Sequence, residues 1–255
     1  MSKLLEGKLA LVLGIANKWS LAYAIAQAFS REGATLVLTY VGDRIKIAVE
    51  ELAQGLNVSR ILPCDVTKDD DLQQLSASLQ AMGRPLDVVV HSLAFANRED
   101  LSKPFVETGR AGFLLAQEVS SYSLVAVARA AAPAMSAGGS ITTLTYLGST
   151  RVVPNYNVMG VAKASLEAAV RYLSSDLGPQ KIRVNALSAG PIKTASARAV
   201  KDFSSILDVV AARAPLRRNT DPAEVADTAV FLASDLSRGV TGNVLFVDSG
   251  MHVMG

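Results

Sequence analysis

Short apolar runs alternate about seven times with longer segments of helical periodicity, and this alternation restricts the possible folds more than any other feature. The first run, Leu9–Leu13, is apolar at every position and ends at Gly14. A continuously apolar run of this length is typical of a strand that is buried on both faces. Strands that alternate with helices form a parallel sheet that is covered by helices on both faces.

The chain contains neither an internal repeat nor a linker rich in proline and serine. We therefore predict a single domain over residues 1–255, an α/β fold with a Rossmann-like, doubly wound parallel sheet of about seven strands. Strands are predicted at residues 9–13, 34–40, 60–66, 87–92, 140–145, 183–188 and 243–247. Helices are predicted at residues 21–32, 45–54, 69–82, 110–135, 157–177 and 222–232, with a less regular helical insertion at 195–214.

The composition argues against several kinds of protein. Half of the 255 residues are hydrophobic, which favours a packed core over disorder. The net charge of +2, without a run of basic residues, gives no support for nucleic-acid binding. A single cysteine, Cys64, fits a reducing compartment. This cysteine and the two histidines, His91 and His252, are too few for an ordinary zinc site, so no metal is expected.

No segment is typical of a signal peptide or a membrane span. The first apolar run is short and leads directly into a glycine turn. The apolar segment at residues 123–135 is interrupted by Arg129 and Pro133, well short of the roughly 20 residues that a spanning helix needs. We therefore expect a soluble, cytoplasmic protein that does not contact the membrane.

The turn after the first predicted strand is suited to binding a pyrophosphate, because it also opens a helix. Gly14 allows a tight turn, Ser20 can cap the helix, and the N–H of Leu21 is among the first free donors that point at an anion. The turn lacks the G-x-G-x-x-G pattern, so an ordinary strand-to-helix turn is the alternative.

The end of the second predicted strand bears on the choice of dinucleotide. An acidic residue at this position usually reads the ribose 2′-hydroxyl of NADH. Here the strand ends at Tyr40 and Val41 without an acid, and Arg44 follows, beside Asp43. An arginine can bind the 2′-phosphate of NADPH, but the neighbouring aspartate repels it. We predict NADH, with NADPH left open.

Two further strand ends are placed to border an adenine and its ribose in this architecture. Asp65 and Val66 end the third predicted strand, and Leu93 follows the fourth. An aspartate at a strand end is equally often a helix cap, so both roles stay open for Asp65. His91 is interpreted as a structural histidine with satisfied hydrogen bonds.

A tyrosine and a lysine lie seven residues apart at the start of the helix predicted after residue 156. Seven residues make about two helical turns, roughly 10 Å, so Tyr156 and Lys163 lie on nearly the same side. A phenol can donate a hydrogen bond to a developing oxyanion, and a nearby ammonium can lower the phenol's pKa and hold a sugar hydroxyl. The alternative is an amphipathic surface tyrosine and a solvated lysine.

Motifs along nearly the whole chain point to one family. They comprise Gly14 to Ser20, Asp65-Val66, Tyr146, Tyr156 with Lys163, and residues 188–194. Together they resemble the bacterial-type enoyl-acyl-carrier-protein reductases, which are divergent members of the short-chain dehydrogenase/reductase superfamily. The resemblance runs from Gly7 to about Gly255. Ordinary members, which reduce ketones, place the active tyrosine four residues before the lysine, where this chain has Met159.

The resemblance implies reduction of a trans-2-enoyl thioester, a step of fatty acid biosynthesis, with hydride from a nicotinamide. It implies that Tyr156 donates a hydrogen bond to the enolate oxygen, that Lys163 holds the nicotinamide ribose, and that Tyr146 lines the site or contacts substrate. The further positions that it implies are Val41 and Leu93 beside the adenosine, Ile192 and Thr194 at the nicotinamide amide and the phosphates, and Ala96 at the substrate.

The resemblance also implies a mobile substrate-binding lid at about residues 195–214, in which Phe203, Ile206 and Leu207 suit an acyl tail. A plain amphipathic helix is the alternative. The implied partner is an acyl carrier protein, and the family's usual assembly is a homotetramer formed through the helices at 110–135 and after Tyr156. Candidate residues for carrier recognition are Arg198, Lys201, Arg217 and Arg218.

Two other functions remain open at the level of sequence. The first is a ketone or 3-oxoacyl reductase of the same superfamily, which Met159 argues against. The second is a dinucleotide-sensing protein that has kept the fold without catalysis, which the spacing of Tyr156 and Lys163 argues against.

Overall fold

The computed structural model describes residues 3–194 and 203–255, and these residues form a parallel sheet of seven strands in the order β3-β2-β1-β4-β5-β6-β7. The predicted α/β, doubly wound architecture is confirmed. The strands are β1 Leu9–Leu13, β2 Thr35–Tyr40, β3 Val58–Pro63, β4 Val88–His91, β5 Gly139–Thr145, β6 Ile182–Ala189 and β7 Val244–Val247.

Helices cover both faces of this sheet. They are α1 Leu21–Arg31, α2 Gly42–Ala53, α3 Asp69–Gln80, α4 Arg110–Gln117, α5 Ser123–Ala131, α6 Asn157–Leu177, α7 Phe203–Arg213 and α8 Pro222–Ala233. The prediction of one helix at 110–135 was incomplete, since a π-helical turn, Glu118–Tyr122, separates α4 from α5. Residues 195–202 of the predicted lid lie outside the described residues.

The two faces of β1 show why its sequence is apolar throughout. Leu9, Leu11 and Leu13 pack into a core with α3, α5 and α6, on one side of the sheet. Ala10 and Val12 pack into the core on the other side, with α1 and α8. Because successive side chains of a strand point to opposite faces, a strand covered on both sides needs apolar residues at every position.

The third strand is shorter than predicted. It ends at Pro63 and not at residue 66, and it is the edge strand of the sheet. Proline has no N–H for the ladder and is tolerated at an edge, where that side faces away from the next strand. Asp65 and Val66 therefore lie in the loop that follows.

The strand order reverses direction between β1 and β4, which pair with each other. Ligands of open α/β sheets bind at such a switch point, beyond the carboxyl ends of the strands. The ends of β1, β4, β5 and β6 therefore determine where the site lies.

In the part of the chain that the structure describes, the segment Arg110–Ala134 is long and apolar enough to cross a membrane, by length and composition alone. Half of its most apolar window is buried within the protein. Leu124, Val127 and Ala131 belong to the core beneath the sheet, so this segment packs as a core helix.

Candidate active site

A cavity of about 600 Å³ opens at the carboxyl ends of the strands. It runs from the end of β2 across β1, β4, β5 and β6 to α6 and α7. Thirteen of the residues predicted to bind cofactor or substrate, or to act in catalysis, line it: Gly14, Ser20, Leu21, Val41, Leu93, Ala96, Tyr146, Tyr156, Lys163, Ile192, Thr194, Phe203 and Ile206.

Asp65 and Val66 are the two predicted site residues that are not among those lining the cavity, although Cys64 before them is. The Asp65 carboxylate accepts hydrogen bonds from the N–H and the hydroxyl of Thr67, at 3.1 and 2.7 Å. Burial opposes its charge, but the bonds from Thr67 and the ammonium of Lys68 outweigh burial and lower the pKa of Asp65. The carboxylate thus organises the turn before α3. It does not cap that helix, whose N-cap residue is Lys68.

The turn between β1 and α1 brings the backbone close to β4. Gly14 has a φ of +103°, and a Cβ added there would lie 2.1 Å from the carbonyl oxygen of Ser92. Glycine is therefore required at this position. The turn is the strand-to-helix junction that the sequence predicts for a pyrophosphate.

Ser20 does not cap α1 in the way predicted. It occupies the N-cap position, but its side chain makes no cap hydrogen bond. Its Oγ instead accepts from the N–H groups of Ala16 and Asn17, both at 3.1 Å. The hydroxyl thereby closes the turn, while Leu21, as the first helical residue, has no intrahelical acceptor for its N–H. The N–H donors and the helix dipole suit an anion such as a pyrophosphate.

Tyr156 is fixed by the backbone on both sides of it. Asn155 and Asn157 flank it with φ angles of 62° and 41°, in the left-handed region that asparagine tolerates better than most residues. The Asn157 side chain donates to the carbonyls of Asp100 and Lys103, at 3.3 and 2.8 Å. The Asn-Tyr-Asn sequence therefore sets the entry of the chain into α6, a role that sequence reasoning missed.

The ring of Tyr156 packs against a second tyrosine and two glycines. Its centroid lies 5.0 Å from that of Tyr146, and the ring planes are inclined at 71°. A Cβ on Gly148 would lie 2.4 Å from Cδ1 of Tyr156, and a Cβ on Gly160 would lie 2.7 Å from the carbonyl oxygen of Gly148. These glycines allow close contact between the loop after β5 and the start of α6.

Burial raises the pKa of both phenols, to about 12 for Tyr146 and further for Tyr156. The sequence suggested that Lys163 could lower the pKa of Tyr156, but the pKa is raised, first by burial and then by Tyr146 and Glu167. Both groups stay protonated at neutral pH and act as hydrogen-bond donors. Among the described residues, neither hydroxyl has a hydrogen-bond partner, so both can bind a ligand in the cavity.

Lys163 is only 4% exposed, and its Nζ donates to the carbonyl oxygen of Leu144 at 2.7 Å. Burial lowers its pKa to about 8, and the carboxylate of Glu167 opposes this shift. An ammonium that has few water contacts and still lines the cavity is placed to hold a polar ligand group there.

Met159 stands four residues before Lys163, at the position where a ketone reductase has its tyrosine, and it is buried. The Oγ of Ser120 lies 3.6 Å from its sulfur. The same oxygen accepts from the N–H of Phe95 at 2.9 Å and lies 3.0 Å from the Phe95 carbonyl. Ser120 belongs to the π-helical turn and fixes the loop after β4, a contact for which the sequence gives no signal.

His91 is a structural residue, as interpreted from the sequence. Its ring nitrogens lie 2.8 Å from the hydroxyl oxygens of Thr143 and Ser123. Burial, followed by the nearby ammonium of Lys163, lowers its pKa to about 3. The imidazole is therefore neutral and fully hydrogen-bonded.

The wall of the cavity beside Tyr156 is apolar. Ala94, Ala96, Phe203 and Ile206 pack with Tyr156 around a small cluster that contains Leu101, Ala116, Val158 and Met159. This wall suits a hydrocarbon chain. Within residues 3–194 and 203–255, no group of three histidine, cysteine or acidic side chains could hold a metal ion.

The structure describes two of the four basic residues that were predicted to recognise the carrier protein, Arg217 and Arg218. Arg198 and Lys201 lie outside the described residues. Arg217 donates to the carbonyl oxygen of Ala212. Arg218 forms two hydrogen bonds with Glu224, at 2.5 and 2.8 Å, which offset its charge.

Comparison with known proteins gives a consistent result. The model of a family described as enoyl-(acyl carrier protein) reductase matches residues 14–252. The enoyl-acyl-carrier-protein reductase (NADH) FabI of Bacillus subtilis is 55% identical over 98% of this chain and 97% of its own length. The corresponding NADPH protein of Staphylococcus aureus is 50% identical over 98% of both chains.

Solved structures agree with the sequence comparison. The enoyl-acyl carrier protein reductase of Bacillus cereus, crystallised with NADP⁺ and indole naphthyridinone, superposes with a TM-score of 0.97 at 55% identity and 99% coverage of both chains. The enoyl-acyl-carrier-protein reductase (NADH) of Aquifex aeolicus superposes with a TM-score of 0.96 at 43% identity and 99% coverage of both chains.

Proposed function

The chain belongs to the enoyl-(acyl carrier protein) reductase family, and we propose that it reduces trans-2-enoyl thioesters to saturated acyl thioesters. The observation that carries the proposal is that Tyr156 and Lys163 line one cavity while Met159 occupies the ketone reductases' tyrosine position. The protein is an oxidoreductase of fatty acid biosynthesis, and its substrate chain is carried by an acyl carrier protein. NADH is the expected cofactor, with NADPH as the alternative.

The residues of the cavity fit a nicotinamide dinucleotide. The tight approach at Gly14 and the free N–H of Leu21 suit the pyrophosphate. Val41 and Leu93 line the end suited to the adenosine, and Ile192 and Thr194 line the end suited to the nicotinamide amide and the phosphates. When bound, the reduced nicotinamide supplies the hydride that adds to the β-carbon of the enoyl group.

Tyr156 stabilises the negative charge that moves onto the thioester oxygen. Its hydroxyl remains protonated because burial raises its pKa, so it donates a hydrogen bond to the enolate without releasing its proton. One such donor in a dry site is worth about 3–4 kcal/mol. The α-carbon of the enolate then takes a proton from solvent water, which completes the reduction. Tyr146 lines the same cavity and contacts the substrate or supports the Tyr156 ring.

The position of Tyr156 along the helix fits this chemistry better than ketone reduction. In a ketone, the hydride is added to the carbonyl carbon itself, so the donor must lie beside the nicotinamide. In an enoyl thioester, the hydride goes to a carbon two atoms away from the carbonyl. A donor displaced by about one helical turn, ~5 Å, matches that separation. Met159, at the ketone reductases' position, has a thioether that cannot donate a proton.

Lys163 would hold the nicotinamide ribose through its ammonium. The hydrogen bond from Nζ to the carbonyl oxygen of Leu144 fixes the side chain for this role. The apolar wall of Ala96, Phe203 and Ile206 receives the acyl chain. Phe203 and Ile206 of α7 thus form one side of the substrate site. This position supports the proposal that residues at about 195–214 act as a substrate-binding lid.

We propose a homotetramer in the cytoplasm. The outer faces of α4, the π-helical turn and α6 expose Leu114, Tyr122, Val161 and Tyr172, by 38 to 76% of their surface. Exposed apolar and aromatic residues on neighbouring helices favour association through these faces. Light scattering with size-exclusion chromatography tests the assembly; a tetramer that dissociates in Tyr172→Glu supports it, and a monomeric wild type contradicts it.

The decisive test of the function uses two thioesters with the wild-type protein. Loss of reduced-nicotinamide absorbance is followed with crotonyl thioester and with acetoacetyl thioester, each with NADH and with NADPH. Turnover of the crotonyl thioester alone supports the proposal. Turnover of the acetoacetyl thioester identifies a ketone reductase, and turnover of neither, with intact cofactor binding, identifies a dinucleotide-sensing protein.

A further inference from the structure

A buried acidic residue lies one helical turn beyond the active-site lysine. Glu167 is 7% exposed, and its Oε1 accepts a hydrogen bond of 2.6 Å from the hydroxyl of Thr145, which is 4% exposed. Glutamate is rarely buried to this extent unless a partner compensates its charge. In the described part of the chain Glu167 makes no ion pair, so its carboxylate is held mainly by Thr145.

Two contacts join the end of β5 to α6 side by side. Lys163 donates to the carbonyl oxygen of Leu144 at 2.7 Å, and Thr145 donates to Glu167 at 2.6 Å. Leu144 and Thr145 are consecutive, and Lys163 and Glu167 are one turn apart on the same helical face. Tyr146, which contacts the ring of Tyr156, is the next residue of the chain.

We propose that Glu167 is a positioning residue of the enoyl reduction, which holds the end of β5 through Thr145 and keeps Lys163 in its ammonium form. This inference rests on the proposed function. It concerns a residue that contacts neither substrate nor cofactor, because Glu167 is not among the residues that line the cavity.

The groups around Lys163 indicate why Glu167 is needed to keep Lys163 in its ammonium form. Burial favours the neutral amine, and Glu167 is the group that opposes it. The imidazole of His91, at the end of β4, is neutral. The phenols of Tyr146 and Tyr156 stay protonated. From the turn before α4, Asp100 is paired with Lys103 at 3.7 Å. Among the residues that the structure describes, Glu167, which lies on α6 with Lys163, is thus the acid that favours the ammonium form of Lys163.

The protonation state of Lys163 determines how activity should depend on pH. Lys163 acts as the ammonium, so activity is present below its pKa of about 8 and is lost as the pH rises through that value. Removing a nearby anion disfavours the ammonium further. The alkaline limb of the profile should therefore move to lower pH when Glu167 becomes neutral, by about one unit.

The test compares three variants in pH profiles of kcat/KM with crotonyl thioester and of the NADH dissociation constant. Glu167→Gln keeps the shape and a hydrogen-bonding partner for Thr145, and its alkaline limb should move down by about one unit in both profiles. Asp176→Asn removes an exposed negative charge from the same helix and should leave the limb in place. Thr145→Val breaks the contact but keeps both charges, so kcat should fall while the limb stays.

A fourth variant keeps the inference testable if Glu167→Gln does not fold. Lys163→Arg carries a guanidinium that stays charged, so its alkaline limb should disappear. A limb that persists in Lys163→Arg, or one that is the same in Glu167→Gln and the wild type, overturns the inference. If the wild type does not reduce crotonyl thioester, the proposed function fails, and the NADH-binding profile still decides the role of Glu167.

Discussion

The ring of Tyr146 stands at 71° to the ring of Tyr156, with the centroids 5.0 Å apart. An edge-to-face pair of this kind holds the second ring in one orientation. Tyr146 comes directly after β5 and Tyr156 directly before α6, so the pair joins the two elements that bear the active site. Within residues 3–194 and 203–255 neither hydroxyl has a hydrogen-bond partner, so both can donate to a ligand in the cavity.

We expect Tyr146→Phe to separate the two roles of Tyr146. The phenylalanine ring keeps the edge-to-face contact, so the midpoint of thermal unfolding should not change. Loss of one neutral hydrogen-bond donor, worth about 0.5–1.5 kcal/mol, should lower kcat/KM by up to about tenfold. Steady-state kinetics measure this. A loss as large as that of Tyr156→Phe would show that Tyr146 is itself the oxyanion donor.

Gly148→Ala should damage activity through the Tyr156 ring. The added Cβ would lie 2.4 Å from Cδ1 of Tyr156, so the ring has to move. Displacing a catalytic group by about 1 Å can cost roughly 100-fold in rate. We expect a loss of that order in kcat/KM with crotonyl thioester. Gly178→Ala is the matched control, since its Cβ would meet nothing within 4 Å; equal activity in the two variants would contradict the prediction.

Gly14→Ala should weaken dinucleotide binding. Its Cβ would meet the carbonyl oxygen of Ser92 at 2.1 Å, and its φ of +103° disfavours alanine. The turn must then open, and we expect NADH affinity to fall by at least tenfold, about 1.4 kcal/mol, in calorimetric titration. Gly55→Ala has a φ of +85° but meets nothing within 4 Å. Gly55 does not line the cavity, so Gly55→Ala should keep the wild-type NADH affinity. An unchanged NADH affinity in Gly14→Ala would contradict the prediction.

The stability of the protein should decrease at acidic pH because of His91. Burial, and then Lys163, lowers its pKa to about 3, whereas a histidine in an unfolded chain titrates near about 6.5. Between these values the unfolded chain binds the proton and the folded chain does not, so stability falls as the pH falls, by up to about 1.4 kcal/mol per unit. His91→Gln should flatten this dependence in thermal unfolding, and a slope equal to that of the wild type would show that His91 does not contribute.

Much of the fold and of the cavity could be predicted from the sequence. The alternation of apolar runs with helical segments predicts the parallel sheet, and parallel strands bring their carboxyl ends to one edge. Gly14 is far in sequence from Tyr156 and Lys163, yet all three line the same cavity for this reason.

The parts that were missed depend on long-range contacts. An acid four residues after Lys163 is usually interpreted as half of an exposed ion pair, and only the packing of α6 on β5 shows that Glu167 is buried against Thr145. The π-helical turn that carries Ser120 has no sequence signature. The direction of the Tyr156 pKa was mispredicted because sequence shows the nearby charge but not the extent of burial.

The most direct test of the account is the Tyr156→Phe variant, assayed with crotonyl thioester and titrated with NADH. The account predicts a loss of about 100-fold to 1,000-fold in kcat/KM, with the NADH dissociation constant unchanged. Tyr23→Phe, a partly buried tyrosine of α1 that does not line the cavity, should retain full activity. A Tyr156→Phe variant with wild-type kcat/KM would contradict the central claim that this phenol stabilises the enolate.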